Sequence, residues 1–171
     1  AAPGEPDGGR VLRILIVDDA EDNRLLVDSH LKKTGHRLDQ AENGRTAVEK
    51  FKAGNFDLVF MDMQMPVTDG YTAVREIRRW EQEAGRKPAS IVALTAYALK
   101  DEIQRSYAAG CDSHLSKPIK KAQLLDAVQA FGRLRPPARS AEDGRPLVRI
   151  DEDLKHLVPR FFENRWKDVN L

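Results

Sequence analysis

Three short runs, "RILIV" (13–17), "LVFM" (58–61) and "IVALT" (91–95), are apolar without alternation. A strand with one wet face alternates apolar and polar residues. A strand covered on both faces does not, and it belongs to a parallel sheet with helices on each side. Two weaker runs, "RLDQA" (37–41) and "SHLS" (113–116), complete a set of five. The segments between them have helical character. In the first, Asn23, Leu26, Val27, His30, Leu31 and Thr34 fall on one 3.6-residue face, with Gly35 as the stop. A second helix is expected over Arg45–Ala53, closed by Gly54, and a third from a cap at Asp69 carrying Val74 and Ile77. A fourth is expected over Ala98–Ala109, closed by Gly110, and a fifth through Leu124, Leu125, Val128 and Phe131. Alternating strands and helices with right-handed crossovers predict an α/β, doubly wound parallel sheet.

In such sheets the working groups collect beyond the carboxyl ends of the strands. The first strand delivers Asp18 and Asp19 there, the third Asp62, and the fourth Thr95. Lys117 and Pro118 follow the fifth. Taken singly, each is an ordinary cap, turn or strand-end residue. Together they place three carboxylates at one edge, where mutual repulsion makes full ionisation costly. A divalent cation removes that cost, and an all-oxygen set suits Mg²⁺. A lysine ammonium and a threonine hydroxyl at the same point would neutralise and hydrogen-bond an incoming phosphoryl group, which a carboxylate oxygen can attack in line.

The stretches "ILIVDDAEDNR", "AENGRTAVE", "DLVFMDMQMPVTDGYTAVREIR", "IVALTA" and "AAGCDSHLSKPI" carry a resemblance. Residues 11–132 resemble the receiver domain of two-component response regulators and hybrid sensor histidine kinases. The resemblance implies a flavodoxin-like (βα)5 fold with strand order 2-1-3-4-5. It makes Asp62 the phosphoacceptor, with Asp19, Asp62 and the Gln64 backbone carbonyl on Mg²⁺ and Asp18 acting through water. It gives Thr95 and Lys117 the phosphoryl oxygens, and it implies a cis Lys117–Pro118 peptide. It also implies a histidine kinase or a histidine phosphotransfer domain as partner. Two positions depart from the pattern: Ala20 stands where hybrid-kinase receivers commonly have Asn, and His114 stands where the fifth strand often carries a switching Tyr or Phe. The switch pair here is therefore Thr95 and His114.

The remaining features set limits. Among 171 residues the formal net charge is +1, which gives no strong pull toward nucleic acid. A single cysteine, Cys111, excludes a disulfide framework and points to a reducing, cytoplasmic setting; it is expected to be buried rather than reactive. No apolar run approaches the roughly 18–20 residues of a membrane span, so no membrane contact is expected of this stretch, although a parent kinase could be anchored in the inner membrane. Residues 1–10, "AAPGEPDGGR", read as a flexible leader. Residues 133–149 hold three prolines and five arginines and read as a linker. Residues 150–171, with Leu154, Leu157, Val158, Phe161 and Phe162, read as a helical segment kinked at Pro159. That segment resembles the opening helix of a histidine phosphotransfer domain, and the whole arrangement is similar to kinases of diffusible-signal-factor quorum sensing.

His30, in "HLKKTG", faintly resembles a phosphotransfer motif, but its place on the apolar face favours a packed histidine. His36 and His156 are expected to face solvent, and Trp80 to lie on the third helix. Two rival functions fit parts of this pattern. A haloacid-dehalogenase-type phosphohydrolase would want Asp where Gln64 stands. A receiver that sequesters a non-two-component enzyme would leave no motif to find.

Overall fold

The structure is a computed structural model, and it describes residues 10–133. Five strands, β1 (Arg13–Val17), β2 (Arg37–Ala41), β3 (Leu58–Asp62), β4 (Ser90–Thr95) and β5 (Ser113–Ser116), form one parallel sheet in the order β2-β1-β3-β4-β5. Five helices follow them in turn: α1 (Glu21–Leu31), α2 (Gly44–Ala53), α3 (Gly70–Glu83), α4 (Lys100–Ala109) and α5 (Lys121–Arg133). This is the flavodoxin-like (βα)5 arrangement. Residues 1–9 of the leader, the linker from Leu134 onward, the 150–171 segment and His156 lie outside the described residues; Arg10 donates to Asp57 at 2.9 Å, and Arg133, expected to open the linker, ends α5.

The strand period of two sorts the apolar side chains into two cores. Leu15, Val17, Val59, Met61, Ile91 and Ala93 face Val48, Phe51, Val74 and Ile77 of α2 and α3. Ile14, Ile16, Leu58, Phe60, Val92 and Leu94 face Val27 and Leu31 of α1 and Leu124, Val128 and Phe131 of α5. Every residue of β3 and β4 is buried, which is why those runs do not alternate.

The helix signals were mostly correct. Asn43 and Asp69 cap α2 and α3, their side chains accepting from Thr46 N and Thr72 N at 2.8 Å each. Gly35 and Gly110 close their segments with φ of 74° and 118°. A 3-10 turn, Lys32–Thr34, lies between α1 and Gly35. Helix α4 begins two residues later than expected, at Lys100, because Ala98 and Leu99 still belong to the incoming loop.

Leu26, expected on the buried face of α1, is 44% exposed; Val27 and Leu31 do the packing. His36, expected to face solvent, is half-buried, and its Nδ1 accepts the Leu12 N–H at 3.2 Å. That amide heads β1 without a ladder partner, so the imidazole satisfies it. Burial lowers the His36 pKa, partly offset by the nearby Asp57 carboxylate. His30 is half-buried, Trp80 lies on α3 against the α2–α3 core, and Cys111 is buried. Burial pushes the Cys111 thiol up to about 12, which removes it as a thiolate at neutral pH.

Candidate functional site

Crossover direction reverses between β1 and β3, and such a switch point leaves a crevice at the carboxyl ends of the strands. Asp18 leaves β1 on one side of it, and Asp62 ends β3 on the other. Oxygens of Asp18, Asp19 and Asp62 all lie within 4.8 Å of one another. Asp18 and Asp62 are buried, and Asp19 is exposed. Lys117 enters from beyond β5, its Nζ 2.7 Å from Asp18 Oδ2 and 3.2 Å from Asp62 Oδ2. The peptide after it, Lys117–Pro118, is cis, as the resemblance implied. The Lys117 N–H donates to Thr95 O at 2.7 Å, which ties the lysine to the end of β4.

Each carboxylate has a distinct setting. Asp18 accepts from Ala20 N (2.9 Å), from Asn23 Nδ2 on both oxygens (3.1 and 3.2 Å) and from Lys117 Nζ. Its oxygens are therefore largely engaged by the protein. The Asp19 carboxylate has no side-chain or backbone donor among the described residues. Asp62 Oδ1 accepts from Gln64 N at 3.1 Å. Burial pushes the Asp62 carboxyl up to about 6, opposed by the Gln64 N–H and by the Lys117 ammonium. Burial works to lower the Lys117 pKa, but hydrogen bonding and charge from Asp18 and Asp62 outweigh it and hold the ammonium above its ordinary range.

The Thr95 hydroxyl is buried with no hydrogen-bond partner, the one such side-chain atom among the described residues. A buried hydroxyl left unpaired by the protein is costly, so this one is open to an acceptor placed at the strand edge. Close packing fixes the opposite wall. A Cβ at Gly70 would strike the Asp62 carbonyl oxygen and come within 2.7 Å of Met63 Cα, so only glycine lets α3 start against the end of β3. In the intervening loop Val67 takes φ 72° and is 88% exposed. That conformation is unusual for a β-branched residue.

His114 sits in mid-β5, paired in register with Ala93. Its Nδ1 lies 3.1 Å from the Tyr107 hydroxyl of α4, and the two rings meet edge to face at 6.0 Å. Burial lowers the His114 pKa below 6.5. Neither Tyr107 nor Arg24, whose guanidinium donates to the carbonyls of Asp18 and Asp19, was singled out from the sequence. Arg24 stands beside Asn23 in the quoted "DDAEDNR", which was the available signal. Tyr107 had none, because its contact with β5 is tertiary.

Residues 14–129 match the family model described as "Response regulator receiver domain". The chain belongs to the response regulator receiver family. It is similar to the sensor histidine kinase GacS of Pseudomonas protegens, at 37% identity over 158 residues, covering 88% of this chain and 17% of that protein. It is also 37% identical to the chemotaxis protein CheY of Halobacterium salinarum over 116 residues, covering 68% of this chain and 92% of CheY. Among solved structures, the Saccharomyces cerevisiae Ssk1 receiver domain in complex with the histidine phosphotransfer protein Ypd1 superposes with a TM-score of 0.71 at 31% identity, covering 78% of this chain and 95% of that one. The receiver domain of a Pseudomonas aeruginosa sensor histidine kinase, with magnesium coordinated in its active-site cleft, gives 0.64 at 34% identity, covering 71% and 98%. This is thus a receiver domain of the two-component phosphorelay type, close in sequence to those of hybrid sensor kinases. The chain spans 17% and 14% of the two GacS relatives it matches.

Proposed function

We propose that Asp62 is the phosphoacceptor of this receiver, taking its phosphoryl group from a phosphohistidine of a histidine kinase or histidine phosphotransfer domain. The observation that carries this reading is the buried, unpartnered Thr95 hydroxyl at the strand edge where Asp62 and Lys117 already meet. An Asp62 oxygen attacks phosphorus, and the bond to the histidine nitrogen breaks. Lys117 holds positive charge at the Asp62 carboxylate throughout, and the Thr95 hydroxyl gains an acceptor on the transferred group. The donor set, all oxygen and short of positive charge, fits Mg²⁺ held by Asp19, Asp62 and the Gln64 carbonyl, with Asp18 acting through water. Bound there, the ion supplies charge neutralisation for the phosphoryl oxygens. Mapping by borohydride reduction after treatment with acetyl phosphate and Mg²⁺ tests the assignment: label falls on Asp62, and label on any other carboxylate refutes it.

Asp19→Ala removes a cation ligand and one member of a repelling cluster. The variant is expected to melt no lower than the parent without metal and to gain little from Mg²⁺. An undiminished Mg²⁺-induced rise in melting temperature would remove Asp19 from the ligand set. Because Asp62 is held near 6 without the ion, Mg²⁺ affinity should fall as pH drops through that value.

The parent protein is proposed to be a hybrid histidine kinase, with residues 150–171 opening a histidine phosphotransfer domain. Its link to diffusible-signal-factor signalling rests on the sequence resemblance alone. Thr95 and His114 are proposed to relay phosphorylation to the surface of α4, β5 and α5. The His114 ring, hydrogen-bonded to Tyr107 and depressed by burial, should titrate below 6.5. A folded-state pKa below the unfolded one means stability present above pH 6.5 and lost as pH falls through the folded value. Beryllofluoride-induced NMR shifts on that surface should be alike at neutral and mildly alkaline pH and change only in acid. A His114 midpoint at or above 6.5 would contradict this.

A further inference from the structure

We infer that Arg24 is a positioning residue for the cation site, acting through the backbone that carries Asp18 and Asp19. This inference rests on the Mg²⁺ reading proposed above. Asp19 is the ligand with least support: its carboxylate is exposed and has no donor among the described residues. Its direction is therefore set by the peptide planes on either side of it. Those planes are gripped. Arg24 Nη1 donates to the Asp18 carbonyl at 2.7 Å and to the Asp19 carbonyl at 3.2 Å. The Asp18 N–H donates to Ala41 O at 3.2 Å, which anchors the same segment to the end of β2. Arg24 itself is fixed within α1, where its own N–H donates to Ala20 O at 3.2 Å. A short bridge thus runs from the first turns of α1 back to the end of β1. With both carbonyls turned to the guanidinium, the chain leaves β1 in one conformation.

The charge of Arg24 argues in the opposite direction from its geometry, which makes the inference decidable. A fixed positive charge near the cluster repels an incoming cation, so a merely electrostatic Arg24 would weaken Mg²⁺ binding, and its removal would tighten it. A positioning Arg24 strengthens binding, and its removal loosens it. Groups that orient metal ligands without touching the metal are commonly worth about 10–100-fold in affinity.

The test is an NMR titration of the described domain's amides in the full chain with MgCl2 at constant ionic strength, following Asp19 and Ala20. The parent, Arg24→Ala, Arg24→Gln and Arg45→Ala are compared, each with its metal-free melting temperature. Arg45 is an exposed arginine paired with Glu49 at 3.4 Å and serves as the charge-matched control. The expected result is Mg²⁺ affinity lower by about tenfold in Arg24→Ala and Arg24→Gln, unchanged in Arg45→Ala, with the metal-free melts close to the parent. If Arg24→Ala does not fold, Arg24→Gln decides alone, since it keeps a polar side chain of good helix propensity. Equal or tighter binding in the folded Arg24 variants overturns the positioning role and leaves the site standing. No saturable Mg²⁺ response in the parent overturns the site and this inference together.

Discussion

Asp62→Asn will take up no phosphoryl group from acetyl phosphate, and in the absence of metal it will be more stable than the parent at neutral pH. The first half follows from chemistry: a carboxamide oxygen is no match for a carboxylate as nucleophile, while the shape is nearly unchanged. The second half follows from the Asp62 setting. Its carboxyl is 3% exposed in a crevice shared with Asp18. Burial holds it at about 6 rather than 3.8. A carboxyl raised in the folded state binds more protons folded than unfolded between those values. Stability therefore falls as pH rises through that window, and the loss is complete above it. Two pKa units correspond to nearly 3 kcal/mol, a figure already net of the Lys117 and Gln64 contacts that lower the Asp62 value, so a gain of roughly 1–3 kcal/mol is expected at pH 7.5. Urea melts at pH 5 and pH 7.5 without Mg²⁺ measure it. The gain should shrink at the lower pH. A variant less stable than the parent at both values would show that the Asp62–Lys117 contact outweighs desolvation.

How much of this was legible in the sequence differs from element to element, for physical reasons. The central strands β1, β3 and β4 were plain because both their faces are covered and all positions but Arg13 are buried. The edge strands β2 and β5 were faint because each pairs on one side only and stays half-exposed, so "RLDQA" and "SHLS" have no need of an unbroken apolar run. The end residues Asp18, Asp19, Asp62, Thr95 and Lys117 could be brought together from order alone, since a parallel sheet puts every strand end on one side. Helical periodicity misplaced Leu26 because it marks a stripe, whereas the sheet and α5 need only the Val27–Leu31 part of it.

Contacts that depend on where a backbone group is left unpaired were not legible. His36 is bound by an amide at the head of β1, and Arg24 by two carbonyls at its tail. The buried cluster of Arg78, Glu81 and Asp112 is similar. Arg78 donates to Glu81 at 2.7 Å, to Asp112 at 2.9 Å and to the Ala89 and Gly110 carbonyls, while Glu81 and Asp112 accept from Ala89 N and Ile91 N. It sits at the amino end of β4, opposite the site, and fastens α3 to the turns before β4 and β5. In "REIRRWEQE" it looks like any charged helix face.

Lys117→Met tests whether one ammonium holds the site together, and its effect should be large and conditional. The ammonium contacts two buried carboxylates, at 2.7 and 3.2 Å, and is itself only 23% exposed. Removing one member of such a buried set leaves charge uncompensated, which commonly costs about 3–5 kcal/mol. Asn23 and the Ala20 and Gln64 amides still serve the carboxylates, so roughly 2–3 kcal/mol is the expected loss at pH 7.5 without metal. The sign of the pH dependence is fixed by what remains. Without Lys117 the Asp62 carboxyl rises above its present value of about 6, because the ammonium is among the groups that lower it. The variant should then recover toward the parent as pH falls and the carboxyl takes up a proton, and lose more as pH climbs through that range. Mg²⁺ should close most of the gap at pH 7.5, since a cation in the same crevice supplies the missing positive charge. Urea melts at pH 5 and pH 8, each with and without Mg²⁺, give the four numbers needed. A loss of the same size under all four conditions would mean that Lys117 acts through packing of its methylene chain, and that the cation and the ammonium do not share a site.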